Sequence, residues 1–374
     1  MLPRVIHITT SHRADDVRVF ERECRSLAES GKYSVIVAGA GRLPPDCRVS
    51  QVIFKTVPSN RILRFTLGPW RALRLLRRLD ADLWHFHDPE LLPVACWAAA
   101  KGRNVIWDAH EDYEGQFEEI SSRKWIPKIF RRLVRFGFVR LLQSIDSRAV
   151  GIVAATSSVA ARYQNERVAL VGNEARIESF RECKPDFMGR RLLYTGQVSD
   201  AHLFREVVGA VREFGNVTLV VAGRECLKAS ELWTNAENLL GEGLSFVGWL
   251  TREQLAAEIS RSAIGLVTYA DLAPYRTASP TKFFEFAAAG LPMVMTPNHP
   301  MNTELCAKSG ACFLADGFNE NSLGEAIQKS LSNFESWKSA SDNGRLWSLT
   351  QGSWKDSEAR LLQLYDSISS IAPQ

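Results

Sequence analysis

Long apolar runs, paired cysteines and glycine fingerprints are what this sequence lacks. Across 374 residues the longest apolar stretches, such as Leu91 to Ala100, reach half of the roughly 20 residues a membrane-spanning helix needs, so no span is expected. Seven cysteines are present, an odd number with none at C-x-x-C spacing, which disfavours a disulfide framework and a zinc finger alike. The start, Met1-Leu2-Pro3-Arg4-Val5-Ile6-His7-Ile8, reads as a strand and not as a charged-then-apolar leader; a cytoplasmic protein with reduced thiols is expected. No G-x-G-x-x-G follows the first strand candidate, and Gly39-Ala40-Gly41 after the second lacks the third glycine, which argues against a nicotinamide enzyme. A Walker loop, internal repeats and low-complexity tracts are missing as well.

What is present is an ordinary folded balance, 45% hydrophobic and 24% charged, and at roughly 150 residues per domain the length suggests two domains. The net charge of +4 conceals an asymmetry: residues 1–180 carry 28 Lys+Arg against 20 Asp+Glu, and residues 181–374 carry 18 against 22. Two lobes with different partners are expected. Short apolar runs alternate with helical patterns throughout, which is the signature of parallel α/β sheets. Strands are expected at Val5–Thr9, Tyr33–Ala38, Gln51–Thr56, Leu83–His87, Val105–Asp108 and Gly151–Ala155. The pattern restarts with Arg191–Thr195, Val217–Ala222, Ser245–Val247, Ile264–Thr268, Met293–Thr296 and Ala311–Leu314. Helices are expected at Val17–Ser30, Ala201–Phe214, Arg252–Ser262, Thr281–Ala289 and Ser322–Asn333. The organisation is therefore a doubly wound domain over 1–172, a polar linker over 173–189 marked by Pro185, a second doubly wound domain over 190–352, and a closing amphipathic helix within 353–374.

Open α/β sheets bind ligands beyond the carboxyl ends of their strands, and three such ends are polar here. His12, Arg13 and Asp16 follow the first strand, His87-Asp88-Pro89-Glu90 the fourth, and Asp108-Ala109-His110-Glu111-Asp112-Tyr113 the fifth. Together they bring imidazoles and carboxylates to one rim. A metal site made from them has no spacing in its favour, because no two histidines stand at i,i+4 on a helix, and none is expected. In the second half, Ser279-Pro280-Thr281-Lys282 opens a helix whose first-turn amides suit phosphate, and Gly290-Leu291-Pro292 stops it. A cation at Lys282 is unfavourable for the helix dipole unless an anion binds beside it. Glu285, one turn on, could accept two ribose hydroxyls. The plainer alternative is a Lys282–Glu285 surface pair at i,i+3.

His12 with Asp16-Val-Arg18-Val-Phe-Glu21, the Asp88-Pro-Glu90 loop, the Asp108 to Tyr113 run and the Ser279 to Pro292 block together resemble the family 4 retaining glycosyltransferases over nearly the whole chain. The resemblance implies the GT-B architecture, two facing Rossmann-like domains with an interdomain cleft, an acceptor-binding first domain, a nucleotide-sugar-binding second domain, and a last helix that packs back on the first. By position, Glu285 matches the second Glu of the family's Glu-x7-Glu motif, on the nucleotide ribose. His110 matches the histidine that faces the donor sugar, Gly196 the glycine that lets backbone approach the pyrophosphate, and Gly248-Trp249-Leu250 the turn beside the base. Gln197, Gly223, Arg276, Ser279, Thr281 and Lys282 complete the implied donor site; His12, Arg13, His87, Asp88 and Glu90 form the implied acceptor side. His110, Glu111 and Asp16 are cast as positioning groups of the catalytic centre. This sequence departs from the family where the first Glu falls at Thr277 and where the usual Arg and Lys after the glycine appear as Gln197 and His202. Lys282, with Arg276 or Arg205, is the candidate for the missing charge. The family generally works without a bound metal or cofactor, and none is expected.

Two basic segments with interleaved aromatics, Arg61 to Arg78 and Arg123 to Arg140, suit an anionic membrane surface, with a packed helix bearing a solvated basic face as the alternative. No nucleic-acid motif is present. A transferase of this kind is expected to move a hexose from a nucleotide sugar to a saccharide or lipid-linked acceptor in cell-surface polysaccharide assembly, peripherally at the inner face of the plasma membrane. A nucleotide-sugar epimerase of the same fold and a degenerate nucleotide-binding assembly partner are the rival readings.

Overall fold

The computed structural model describes residues 2–45, 47–54, 61–110, 128–224 and 230–369. The chain divides into two compact units, one formed by Met1–Gly172 with Lys355–Gln374 and the other by Asn173–Trp354.

In the first unit, β1 (Arg4–Arg13), β2 (Ser34–Ala40), β3 (Ser50–Ile53), β4 (Leu83–Phe86), β5 (Val105–Ala109), β6 (Gly151–Ala154) and β7 (Val168–Leu170) form a parallel sheet in the order β3-β2-β1-β4-β5-β6-β7. Val5, Ile6, Ile8, Trp84, Phe86, Ile106 and Trp107 are fully buried, as expected of parallel strands covered on both faces. The helix Leu92–Ala100 reads Leu-Pro-Val-Ala-Cys-Trp-Ala-Ala-Ala and buries most of its surface, since a helix apolar on nearly every side belongs in a core. The helix Trp354–Ser369 contributes buried Leu361, Leu364, Tyr365 and Ile368 to this unit. An added Cβ on Gly151 would stand 2.9 Å from Leu364 Cδ1, so the missing side chain lets that helix lie against β6.

In the second unit, β8 (Arg191–Thr195), β9 (Thr218–Ala222), β10 (Leu244–Gly248), β11 (Ile264–Val267), β12 (Met293–Met295) and β13 (Cys312–Leu314) form a parallel sheet in the order β10-β9-β8-β11-β12-β13. Gly265 on β11 is required by packing: a Cβ there would fall 2.4 Å from Phe286 Cδ2. The α/β, Rossmann-like character expected of both halves is present in both sheets.

Several local expectations need correction. Val17–Cys24 is a π-helix, followed by an α-helix at Arg25–Glu29; the wider turn carries Arg18, Arg22 and Glu23 together into the core, which an α-helical spacing would not. The stretch 173–189 is not a free linker. Ala175, Phe180 and Cys183 are buried in the second core, and Ala175 bridges Ser353; its apolar residues fall in turns, where no period reveals them. The three-residue β7 and the helices Glu231–Leu240, Met301–Ser309 and Phe334–Thr350 were also not foreseen, being too short or too evenly polar to show a periodic stripe. Among the described residues six cysteines are free thiols, and no helix is long and apolar enough to cross a membrane.

Candidate active site

Strand order in the first sheet reverses between β1 and β4, so the loops that follow these strands and β5 flank one switch point, where such sheets bind ligands. Asp108 is the organising group. Fully buried, it accepts hydrogen bonds from Arg18 Nε (3.0 Å) and Nη2 (2.8 Å) and from His87 Nδ1 (2.9 Å), and it pairs with His110 Nδ1 at 3.2 Å. Burial alone would raise its pKa; Arg18 foremost, then His110 and His87, overcome that and hold the carboxyl well below the usual range. Asp88 is held down in the same way: burial opposes ionisation, and His12 followed by the Ser11 and Thr10 amides outweighs it.

His12 Nδ1 lies 2.7 Å from Asp88 Oδ1, and the rings of His12 and His110 meet edge-on at 5.3 Å. Two His–Asp couples thus stand side by side. Because a carboxylate oxygen can only accept, each fixes the Nδ1–H tautomer of its imidazole and puts the ring's lone pair on Nε2.

Other expected residues have different duties. His87, Asp88 and Glu90 are buried and therefore do not face an acceptor. Asp88 and Glu90 instead pin the last residues of β1 through the hydroxyls of Thr9, Thr10 and Ser11. Asp16 is the N-cap of the π-helix, accepting from the amides of Arg18 and Val19, which uses its carboxylate in folding. Arg13 is exposed and chelated by Asp15. Glu111 lies outside the described residues.

In the second sheet the order reverses between β8 and β11, and the loop after β8 carries the expected phosphate glycine. Gly196 has φ +115° and Gly248 φ +77°, and a Cβ on either would meet nothing within 4 Å. Open space thus lies against both. The amide of Gly223 closes the neighbouring strand end by donating to Gly248 O at 2.9 Å. The helix Thr281–Ala289 begins at Pro280 with no side-chain cap, and Ser279 holds its approach by accepting at its carbonyl from Asn173 Nδ2.

Lys282 is buried. Its ammonium donates to Thr195 O at 3.3 Å, beside Gly196, and lies 4.8 Å from the Tyr269 ring centroid and 5.4 Å from that of Tyr194. Burial pushes its pKa down to about 8, and no carboxylate among the described residues offsets this. His202, close to Tyr269 and Tyr275, is pushed down to about 4, by burial first and then by Lys282; it is neutral near pH 7. The i,i+3 pair between Lys282 and Glu285 does not form, because Glu285 is taken by Arg252 Nη1.

Arg252 is a residue that sequence reasoning does not single out, since nothing in its spacing from Glu285 signals contact. Arg224, stacked 5.7 Å over the exposed Trp249 ring, is another. Arg276 is chelated at the surface by Asp271, and Arg205 lies exposed near Asp200 at 3.7 Å. Among the described residues, Lys282 is thus the buried cation at this strand end. Gln197 is exposed, with its carbonyl accepting from the Tyr194 hydroxyl; Leu250 and Thr281 are half-buried.

Comparison with known proteins follows this division. Residues 17–173 match the family described as Glycosyltransferase Family 4, and residues 187–333 match Glycosyl transferases group 1. No curated protein matches the sequence. Among solved structures, the chain is similar to sucrose-phosphate synthase from Thermosynechococcus elongatus, with TM-score 0.74 and 15% identity over 99% of this chain and 100% of that one. It is also similar to HepE of Anabaena in complex with UDP-glucose, with TM-score 0.71 and 14% identity over 99% and 100%. WaaG, a glycosyltransferase involved in lipopolysaccharide biosynthesis, gives TM-score 0.68 and 15% identity over 98% and 99%. At these identities the likeness is one of fold.

Proposed function

Because this chain belongs to the family 4 glycosyltransferases, enzymes of GT-B architecture, we propose that it moves a hexosyl group from a nucleoside-diphosphate sugar to a saccharide or lipid-linked glycan, with retention of configuration, in cell-surface polysaccharide synthesis. The observation that carries the donor class is Lys282, a buried ammonium without a carboxylate partner among the described residues, beside Gly196 and the uncapped start of a helix. A diphosphate supplies the missing charge there, and the cation stabilises the charge that grows on the leaving group. Glu285 takes the ribose hydroxyls while Arg252 orients its carboxylate. The likeness to HepE, solved with UDP-glucose, favours a uridine nucleotide among the bases. WaaG, with its part in lipopolysaccharide biosynthesis, favours a glycan acceptor.

His110 and His12 position the reacting sugar hydroxyls through Nε2. In a retaining transfer the acceptor oxygen attacks the anomeric carbon on the face the diphosphate leaves, and a phosphate oxygen takes the acceptor's proton. No protein nucleophile is needed. Calorimetric titration with UDP, GDP, ADP and TDP tests the donor site. One of them should bind, and Glu285→Ala should weaken it about 10- to 150-fold, the worth of about 1.5–3 kcal/mol of charge-assisted hydrogen bonding. No binding by any of the four would remove the reading.

The lowered pKa of Lys282 makes this affinity pH-dependent. Only the protonated amine attracts the diphosphate, and with a pKa of about 8 it loses its proton well before an ordinary lysine. Affinity should therefore be steady near pH 7 and fall about tenfold by pH 9. Lys282→Arg should flatten the profile, and a parent profile flat to pH 9 would exclude Lys282 from the site.

The exposed Phe65 and Trp70 beside Arg74, and Leu133 and Phe136 beside Arg132 and Arg140, support attachment of the first unit to the anionic inner face of a plasma membrane. Residues 123–127, part of the second segment, lie outside the described residues. Arg132→Glu with Arg135→Glu should release the protein from anionic vesicles in a sedimentation assay, and equal pelleting of parent and variant would argue for a merely solvated face.

A further inference from the structure

Beneath the first unit's switch point lies a buried polar cluster that the transfer reaction leaves unused. His7 on β1 is the register partner of His85 on β4; His87 follows two residues on, and Glu23 enters from the π-helix. All four are 0% exposed. One nitrogen from each ring and one Glu23 oxygen lie within 4.8 Å of one another.

We propose that His7, His85, His87 and Glu23 form a structural metal site that takes Zn²⁺. The tautomers follow from the partners. His87 Nδ1 faces Asp108 Oδ2 at 2.9 Å, so that nitrogen carries the proton and Nε2 bears a lone pair. This is the carboxylate-to-imidazole support common to metal-bound histidines. His7 Nδ1 donates to that same Nε2 at 2.9 Å; with the His7 proton moved to its own Nε2, toward the Tyr365 oxygen, the two nitrogens have the separation of two ligands at about 2.0–2.1 Å from a zinc ion and close to a right angle apart. The Tyr365 hydroxyl, 2.8 Å from His85 Nδ1 and 3.3 Å from His7 Nε2, has one proton for two rings. Whichever way it points, His85 Nε2 is left with no hydrogen-bond partner, and neither oxygen of Glu23 has one.

Buried polar atoms without partners are costly and rare in a folded core. His85 and Glu23 belong to the one cluster of ligand atoms within 4.8 Å, and a shared cation gives both a partner. Glu23 Oε1 faces Arg18 Nε at 3.3 Å and Oε2 stands 3.7 Å from His85 Nδ1, so Oε2 is the carboxylate oxygen on the imidazole side. Metal binding draws the widest separation, 4.8 Å, in toward the roughly 3.3 Å edge of a zinc tetrahedron. Three imidazoles and one carboxylate suit zinc, not magnesium or calcium, which prefer oxygen alone. Arg18 and Arg22 bring positive charge to the same core, and this too selects an ion bonded strongly by nitrogen over a hard ion held by charge. The metal would tie β1, β4 and the π-helix together under the closing helix, apart from the transfer chemistry.

The test uses the full chain, stripped with a chelator and returned to one equivalent of Co²⁺ or Zn²⁺. Cobalt should give the visible d–d absorption of a four-coordinate ion, zinc should displace it, and excess zinc at about 1,000 times Kd should raise the first unit's melting temperature by about 8 °C or more. Glu23→Gln and His85→Ala, checked for folding by circular dichroism, should lose both signals, whereas His299→Ala in the other unit should keep them. Absence of the cobalt spectrum and of the zinc shift in the folded parent, or their persistence in both core variants, would overturn the site. The parent measurement decides even where a core variant does not fold.

Discussion

Replacing His110 by Ala is expected to lower the rate of sugar transfer about 10²-fold, the cost of losing one well-placed orienting contact, with nucleoside-diphosphate affinity unchanged. The side chain is nearly buried and its Nδ1 is committed to Asp108, so Nε2 presents one acceptor in one orientation. It belongs to the first unit, whereas Lys282 and Glu285 belong to the second, which is why binding of the free diphosphate should not feel the change. His110→Gln keeps an acceptor at a similar reach and should recover part of kcat. A fall confined to KM, or equal loss in both variants accompanied by unfolding, would assign His110 a structural duty instead.

Arg18→Met should cost the first unit about 3–5 kcal/mol of stability, read as a lower midpoint in urea. Its guanidinium makes a two-pronged contact with buried Asp108 and donates to the carbonyls of Val171 and Gly172 at 3.0 and 3.3 Å. Removing it strands Asp108 as a buried charge and unties the π-helix from the end of the sheet. Arg13→Ala, which breaks only the exposed pair with Asp15, should shift the midpoint by less than about 1 kcal/mol. Equal effects of the two substitutions would show that burial of the Arg18 pair does not matter.

The contrast between those arginines also shows what the sequence could and could not convey. Strand positions were readable because the apolar runs of a parallel sheet are continuous, as in Val35 to Ala38 and Val105 to Trp107. The ends of those strands drew attention to Asp108, His110 and Gly196, and the start of a helix drew it to Lys282. Burial of polar residues was not readable. His87, Asp88 and Glu90 resemble ligand-binding residues in the sequence, yet Asp88 and Glu90 are taken up by the hydroxyls at the end of β1 and His87 by Asp108 and His7. Long-range partners were equally hidden: Arg252 for Glu285, 33 residues apart, and Tyr365 for His85, 280 residues apart. The i,i+4 rule failed to find the His7–His85–His87 cluster because neighbouring strands, not a helix, bring those rings together. The period-2 spacing of His85 and His87 on a buried strand was the one signal available.

The central claim is that this chain transfers a sugar from a nucleotide to an acceptor, and one measurement meets it directly. Purified protein is incubated with radiolabelled UDP-, GDP-, ADP- and TDP-sugars, with and without lipid-linked glycans extracted from bacterial membranes. The account predicts label in the lipid phase from one donor, release of an equal amount of free nucleoside diphosphate, dependence on the extract, and loss of both products in Lys282→Met. Conversion of a donor into an isomeric nucleotide sugar without any acceptor, or tight nucleotide binding with no turnover under any condition, would contradict it.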